Sequence, residues 1–290
     1  CASHQGAAIH VDRVNRWLTD LGLNDDALCC GPQVSRDTDL KIEMIRAHES
    51  PCRVHNNCSG KHAGFLTLTQ HLGAGPNYVD PAHPVQKACL EAFETVTDQT
   101  SPGFGIDGCS APNFATTMHG MARAMAWFAT AAQRSDTMST AGTRLVEAMH
   151  THPELVAGEG RACTRLMRVS KEPVALKTGA EGYFIAILPT RGLGVAVKAA
   201  DGATRAAECA IAAILVKLDV LDADHPEVKA GFQRVADACR ANGIYFGVGG
   251  MGQHPELAKE MIAMGARYAT AGADITFMSK AAIANARKFD

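Results

Sequence analysis

PVALKTGAEGYFIAILP, residues 173–189, and GLGVAVKAA, residues 192–200, are the stretches that decide the fold. Apolar and polar positions alternate in both, and Val, Ile, Phe and Tyr dominate. The turn Thr190-Arg191-Gly192 separates them. That pattern predicts an antiparallel hairpin or meander, not a parallel strand-helix-strand unit. A helix is predicted over 203–221, and several helical stretches precede the strands. Helices against an antiparallel sheet make an α/β sandwich of the α+β class.

Working outward, the N-terminal region reads as helical. Val11, Val14, Trp17, Leu18 and Leu21 share a face, and Gly22 ends the helix. DLKIEMIRAH, Ala63 to Leu72 and residues 84–97 are also helix-like, with Val85, Leu90, Phe93 and Val96 as core positions. SPCRVHNN suggests a short strand. Phe104-Gly105-Ile106 reads as a strand that stops at Asp107-Gly108-Cys109. NFATTMHGMARAMAWFATAA and MSTAGTRLVEAMHTHP are predicted as two helices whose Met and aromatic residues face the core.

With 290 residues the chain suffices for one large domain or two smaller ones. A net charge of -2 supplies no basic field to attract nucleic acid. No apolar run approaches the roughly 18 residues of a membrane span. The 10 cysteines include the vicinal pair Cys29-Cys30 and lack the spacing of a disulfide framework. They predict a reducing, cytoplasmic setting.

HNNCSGKH, residues 55–62, places two imidazoles, two amides, a thiol, a hydroxyl and an ammonium in eight residues. Such a segment buries little, so its polar groups need a ligand or one another. The competing reading is a polar loop entering a helix. Asn56 and Asn57 can donate to a substrate or fix the loop's own backbone. His55 and His62 are ligand candidates by residue type. Ser3, before the first helix, is a nucleophile candidate or a helix-approach residue. Asp107, two residues from Cys109, marks a site or an Asp-Gly turn. Arg161 can clamp a carboxylate with two parallel hydrogen bonds or pair at the surface. Lys177, in KTG on a strand, matches an element of serine acyl-transferases.

Taken together, CASH at 1–4, RVHNNCSGKHAGF at 53–65, GIDGCSAPNFA at 105–115, GRACTRLM at 160–167, KTGAEG at 177–182 and DGATRAAE at 201–208 resemble the bacterial L-asparaginase II family of the rhizobial thermolabile type. The resemblance covers about residues 1–227. It implies a fold similar to serine β-lactamases and glutaminases, and hydrolysis of L-asparagine to aspartate and ammonia. It implies that Ser3 and Lys177 form a serine-lysine pair, and that Asp107 is a catalytic carboxylate beside the zinc-binding set. It further implies that Cys58, Lys61 and Cys109 bind zinc, and that the protein is a homodimer. The chemistry is compatible with these roles. A serine needs a base within reach, and a desolvated lysine can supply one. Two thiolates, an amine and a water would complete a zinc shell.

The chain departs from that family in two places. The family carries a Ser-x-x-Lys tandem upstream of CASH, whereas this sequence starts at CASH, and Ala7 stands where an acidic residue is expected. The expectation is an N-terminally truncated domain with weak or absent turnover. From about residue 225 the pattern changes to helix, strand, helix, strand, helix, with strands at Ile244–Val248 and Tyr268–Ala271. This is parallel βα logic, and it resembles the last units of HpcH/HpaI-type aldolases. The expected organisation is an asparaginase-like domain over 1–224 and an aldolase-like partial βα module, as in a fusion, over 225–290. A metal-dependent aldolase and a catalytically inactive fragment are therefore the alternative functions.

Overall fold

A computed structural model describes residues 3–222, 224–248, 255–270 and 274–288. It divides into two compact units, Cys1–Ile214 and Leu215–Asp290. In the first unit, α1 (Ala8–Asp20), α2 (Thr38–Arg46), α3 (Ser59–His71) and α4 (Pro84–Thr97) precede a short antiparallel hairpin of β1 (Phe104–Ile106) and β2 (Pro112–Phe114). There follow α5 (Met118–Ala129), α6 (Thr137–Thr151), the single turn α7 (Pro153–Val156) and α8 (Ala162–Val169). A three-stranded antiparallel sheet, β3 (Ala175–Thr178), β4 (Tyr183–Leu188) and β5 (Leu193–Lys198), comes next, in the order β3-β4-β5. Last is α9 (Thr204–Lys217), which runs across the division. The mixture of helices and antiparallel strands is α+β, as the alternating stretch predicts.

β4 is the centre of the sheet, and Phe184 to Leu188 are all buried. Ile185 and Ile187, with Ala175 of β3, pack into one cluster with Ala129 of α5 and Val146 of α6. β5 lies so close to α5 that a Cβ on Gly194 would stand 2.1 Å from the Ala126 nitrogen and 2.4 Å from the Ala122 oxygen. On the opposite edge, the Leu176 and Thr178 amides of β3 donate to sulfurs of α8, Met167 Sδ at 3.4 Å and Cys163 Sγ at 3.2 Å. These sulfurs occupy the row where another strand would pair.

A second core joins α1, α3 and the β1–β2 hairpin. Val14, Leu18, Leu28, Val54, Leu66, Tyr78 and Val85 fill it together with the thiols Cys30, Cys58 and Cys109. The cysteines pack here as small apolar residues.

In the second unit, α10 (Pro226–Ala241), β6 (Phe246–Val248), α11 (Pro255–Ala263), β7 (Ala266–Ala269) and α12 (Asp274–Ala286) follow. β6 and β7 pair in parallel, as expected. Phe246, Val248, Leu257, Met261 and Ala266 form this unit's own core. Ala271, expected to end the second strand, lies outside the described residues, as do Cys1 and Ala2 of CASH.

Four local expectations need correction. Arg53–His55 is a 3-10 turn instead of a strand, because Cys52 N–H is taken by His55 Nδ1 at 3.1 Å within the turn. α3 begins at Ser59, four residues before the predicted start, so the polar motif is itself helical. Pro112–Phe114 pairs with β1, so α5 starts later, where Thr117 accepts from the Gly120 amide at 3.0 Å. Trp17 is 39 % exposed because its Nε1–H donates to Thr67 Oγ1 at the surface, 3.0 Å away. No helix among the described residues is long and apolar enough to cross a membrane.

The close approach of β5 to α5 predicts that Gly194→Ala forces helix and strand apart. Overpacking of this kind costs about 1–3 kcal/mol, and thermal denaturation should register a lowered midpoint. An unchanged midpoint would mean that α5 does not rest on the β5 backbone.

Candidate functional site

The site begins with the way the chain enters α3. Asn56 is buried; its Oδ1 accepts from Cys58 N–H at 2.9 Å and its Nδ2 donates to the Gly31 carbonyl at 2.8 Å. The loop is thereby held, and Cys58 becomes the residue that caps the helix. Helical spacing of three and four residues then puts Cys58, Lys61 and His62 on one face.

The β1–β2 turn supplies the other half. Asp107 N–H donates to the Ala111 carbonyl at 2.9 Å, and Ser110, with φ 72°, tightens the turn. Lys61 Nζ reaches across to Cys109 Sγ at 3.1 Å and to Asp107 Oδ2 at 3.3 Å. The donor atoms of Cys58, Asp107 and Cys109 all lie within 4.8 Å of one another.

Charge within this cluster is unevenly shared. The Cys109 thiol is held well below its ordinary range, first by hydrogen bonding with Cys58 and then, against burial, by His62, the Ala111 backbone and Lys61. Cys58 moves the opposite way, raised by the same bond and by burial. Burial pulls on the Lys61 ammonium, but Cys58, Cys109 and Asp107 outweigh it and the net direction is upward. Two sulfurs, an amine and a carboxylate oxygen this close are donor types that can hold a zinc ion. Lys61 would have to release its proton to take part.

The segment at residues 3–6 is fastened to the same helix start. His4 N–H donates to the Asn57 carbonyl at 3.2 Å. The His4 ring is buried; Nδ1 accepts from Gly6 N–H at 3.0 Å, so Nε2–H donates to Ser59 Oγ at 3.1 Å. Burial, followed by the neighbouring His10, pulls the His4 pKa down to about 3, so the ring is neutral. It stacks on His10 with 4.6 Å between centroids. At Gly6, φ is 68° and a Cβ would meet the His55 carbonyl oxygen at 2.6 Å, so only glycine fits. Ser3 sits next to His4 in the left-handed region, φ 69°, a strained conformation for a non-glycine residue.

Lys177 lies within electrostatic reach of Cys163, Cys58, Arg161 and Lys61, and His4 in turn feels its charge. Burial draws its pKa down to about 8. Its ammonium also donates to the Thr178 carbonyl. Arg161 caps the start of α8 and forms no salt bridge with a described residue. The loop before it is held from two sides. A Cβ on Gly158 would stand 2.4 Å from the Gln5 side chain, and Thr164 Oγ1 donates to the Gly158 carbonyl at 2.6 Å.

Cys58, Lys61, Asp107 and Cys109 therefore converge, and Lys177 and Arg161 act electrostatically on one another beside them. Asn57 keeps a half-buried side chain without a hydrogen bond to a described residue, whereas both ends of Asn56 are occupied by backbone. His55 turns away toward Cys52, with its Nδ1 3.2 Å from that sulfur. Sequence reasoning missed Tyr78, which contacts His62, and the Cys163–Met167 pair that edges β3. The four-residue interval between the two sulfurs was the only available signal for the pair.

The family model for L-asparaginase II matches residues 1–247. No curated protein sequence matches the chain.

Lys177 supplies a pH test. Its folded pKa, about 8, lies below the ordinary 10.5, so between those values the unfolded chain binds more protons and stability rises with pH. The burial cost is fully present below pH 8. Relative to wild type, Lys177→Met should gain on the order of 2–3 kcal/mol at pH 7. That gain should fade as pH climbs to 10.5. Denaturant titrations of both proteins across this range check it; a pH-independent difference would place the amine in water.

Proposed function

Given that the chain belongs to the L-asparaginase II family, we propose that it hydrolyses L-asparagine to L-aspartate and ammonia by serine-lysine nucleophilic catalysis beside a zinc site. The observation that carries the reading is a lysine drawn down to about 8 by burial, on a strand within electrostatic reach of Cys58 and Lys61. At that value about one Lys177 in ten is a neutral amine at pH 7, available to accept a proton.

In this reading Ser3 Oγ attacks the carbon of the side-chain amide while its proton passes to Lys177. The tetrahedral adduct collapses when that proton reaches the leaving nitrogen, and ammonia departs. Water then adds to the resulting ester, giving aspartate and restoring the serine. Asn57 donates to the substrate, and Arg161, free of salt bridges with described residues, clamps the α-carboxylate. Asn56, the neighbouring amide and the other candidate substrate donor, is held at both ends by backbone, which supports a role in shaping the loop. Cys58, Lys61 and Cys109 would hold zinc, with Asp107 beside Lys61. When bound, zinc polarises a substrate oxygen and offsets developing negative charge.

The fold supports a β-lactamase/glutaminase-like arrangement through its antiparallel sheet packed against α5 and α6. The nine described cysteines are all free, which supports a reducing cytoplasm. The homodimer is carried over from the family resemblance. For residues 225–290 we propose a separate partial βα module, supported by the parallel β6–β7 pair and its own core. The family match extends into it, as far as residue 247. The aldolase alternative is weaker: among the described residues, the one cluster able to hold a metal, Cys58, Asp107 and Cys109, lies in the first unit.

Ammonia release from asparagine is the decisive assay. Ser3→Ala should lower it by on the order of a thousandfold or more. Cys58→Ser and Cys109→Ser should each lower bound zinc measured by elemental analysis. Turnover that survives Ser3→Ala would remove the nucleophile assignment, and unchanged zinc in both cysteine variants would remove the metal assignment.

A further inference from the structure

Three loops of the first unit meet on one side chain that the reaction proposed above does not use. Gln5 follows Ser3 by two residues and is buried. Its backbone carbonyl accepts from Arg36 N–H at 2.8 Å and from Ser35 Oγ at 3.2 Å, and its Nε2 donates to Asp37 Oδ2 at 3.0 Å. Asp37 is itself fixed, because its Oδ1 accepts from Leu40 N–H in the first turn of α2, 3.0 Å away. Main chain and side-chain tip of Gln5 are thus both gripped by residues 35–37, which leaves the methylenes between them little freedom to swing.

The loop before α8 rests on that side chain. Gly158 has φ 112°, and a Cβ there would stand 2.5 Å from Gln5 Cγ and 2.4 Å from its Cδ, so bare backbone lies directly on the glutamine. The Gly158 carbonyl then accepts from Arg161 N–H at 3.4 Å and from Thr164 Oγ1 at 2.6 Å, which closes the turn and ties it to α8. His10 of α1 adds a fastening just upstream, donating from Nε2 to the Glu154 carbonyl at 3.0 Å.

Ser3 and Arg161 are therefore held on either side of a rigid spacer. Two residues of chain lead from Gln5 to Ser3, and a closed turn leads from Gly158 to Arg161. Asparagine and glutamine carry the same amide and the same α-carboxylate, and differ by one methylene in the span between them. Two anchors that cannot move apart discriminate between such substrates, whereas anchors free to shift do so poorly.

Given the serine nucleophile and arginine clamp of the proposed function, on which this rests, we propose that Gln5 is a positioning residue that sets the separation of Ser3 and Arg161, and thereby makes the site select asparagine over glutamine.

Ammonia release from both amino acids is measured for the full chain and for Gln5→Ala and Gln5→Met. Wild type should show the higher kcat/KM with asparagine. In Gln5→Ala the loop loses its support, and the ratio of kcat/KM for asparagine over glutamine should fall roughly 10- to 100-fold. In Gln5→Met, whose unbranched chain still fills the space under Gly158, the ratio should stay within about threefold of wild type. A proportional loss toward both substrates in Gln5→Ala, leaving the ratio unchanged, would make the residue a packing residue only and overturn the proposal. A wild type without preference would overturn it too, as would a ratio that falls as far in Gln5→Met as in Gln5→Ala. Hydrogen exchange supplies a readout without turnover: residues 158–165 should exchange about tenfold faster in Gln5→Ala, with 183–188 of β4 unchanged. A wild type that releases ammonia from neither amino acid defeats the hydrolase reading instead, and exchange at 158–165 then decides the spacer alone, equal rates in wild type and Gln5→Ala overturning it.

Discussion

A lysine ammonium set between a thiolate and a carboxylate ties the core of α1, α3 and the β1–β2 hairpin together. Lys61 projects from the first turn of α3, and Cys109 and Asp107 sit in the β1–β2 turn. The helix start and the hairpin turn share one buried cluster, with Cys58 and Ala63 on one side and Cys109 and Ala111 on the other. Two short contacts from Lys61 add charge to that packing, and the thiols around them pack as apolar residues. The pair is only partly exposed, so solvent screens it less than a surface salt bridge.

The other elements follow from that contact. Asn56 must hold the loop so that Cys58 can cap the helix. Gly6 must lack a side chain so that residues 3–6 can lie against the His55 carbonyl. His4 must be neutral to donate to Ser59 while it accepts from Gly6. Each condition uses a small or uncharged group at close range, which suits a site built from backbone turns.

Much of this was legible in the sequence. The alternation across 173–200 revealed the antiparallel sheet, and the change of period after 225 revealed the parallel β6–β7 pair. Residue type alone favoured His55 and His62 as ligands; the family resemblance pointed instead to Cys58, Lys61 and Cys109, and with Asp107 these do converge. What escaped was local geometry. Polar residues normally signal loops, so the first turn of α3 was read as one, although its glycine and serine are tolerated where helix amides are still unpaired. Pro112-Asn113-Phe114 reads equally well as a helix approach, and only pairing with β1 makes it a strand. The sulfur contacts of α8 and the Tyr78–His62 pair join residues far apart in sequence or by weak acceptors, for which no periodicity exists.

The sulfur edging of β3 has a consequence for ageing. Among the described residues, thioether and thiol are the partners of the Leu176 and Thr178 amides; burial pushes the Cys163 thiol up and keeps it inert, so Met167 is the sulfur that peroxide attacks. A sulfoxide at Met167 would be bulkier and more polar than the space it fills, and would prise α8 from the strand. Two bare backbone donors beside KTG would then offer other molecules a place to add a strand. Slow clumping during aerobic storage, prevented by removing peroxide, is the behaviour this design entails.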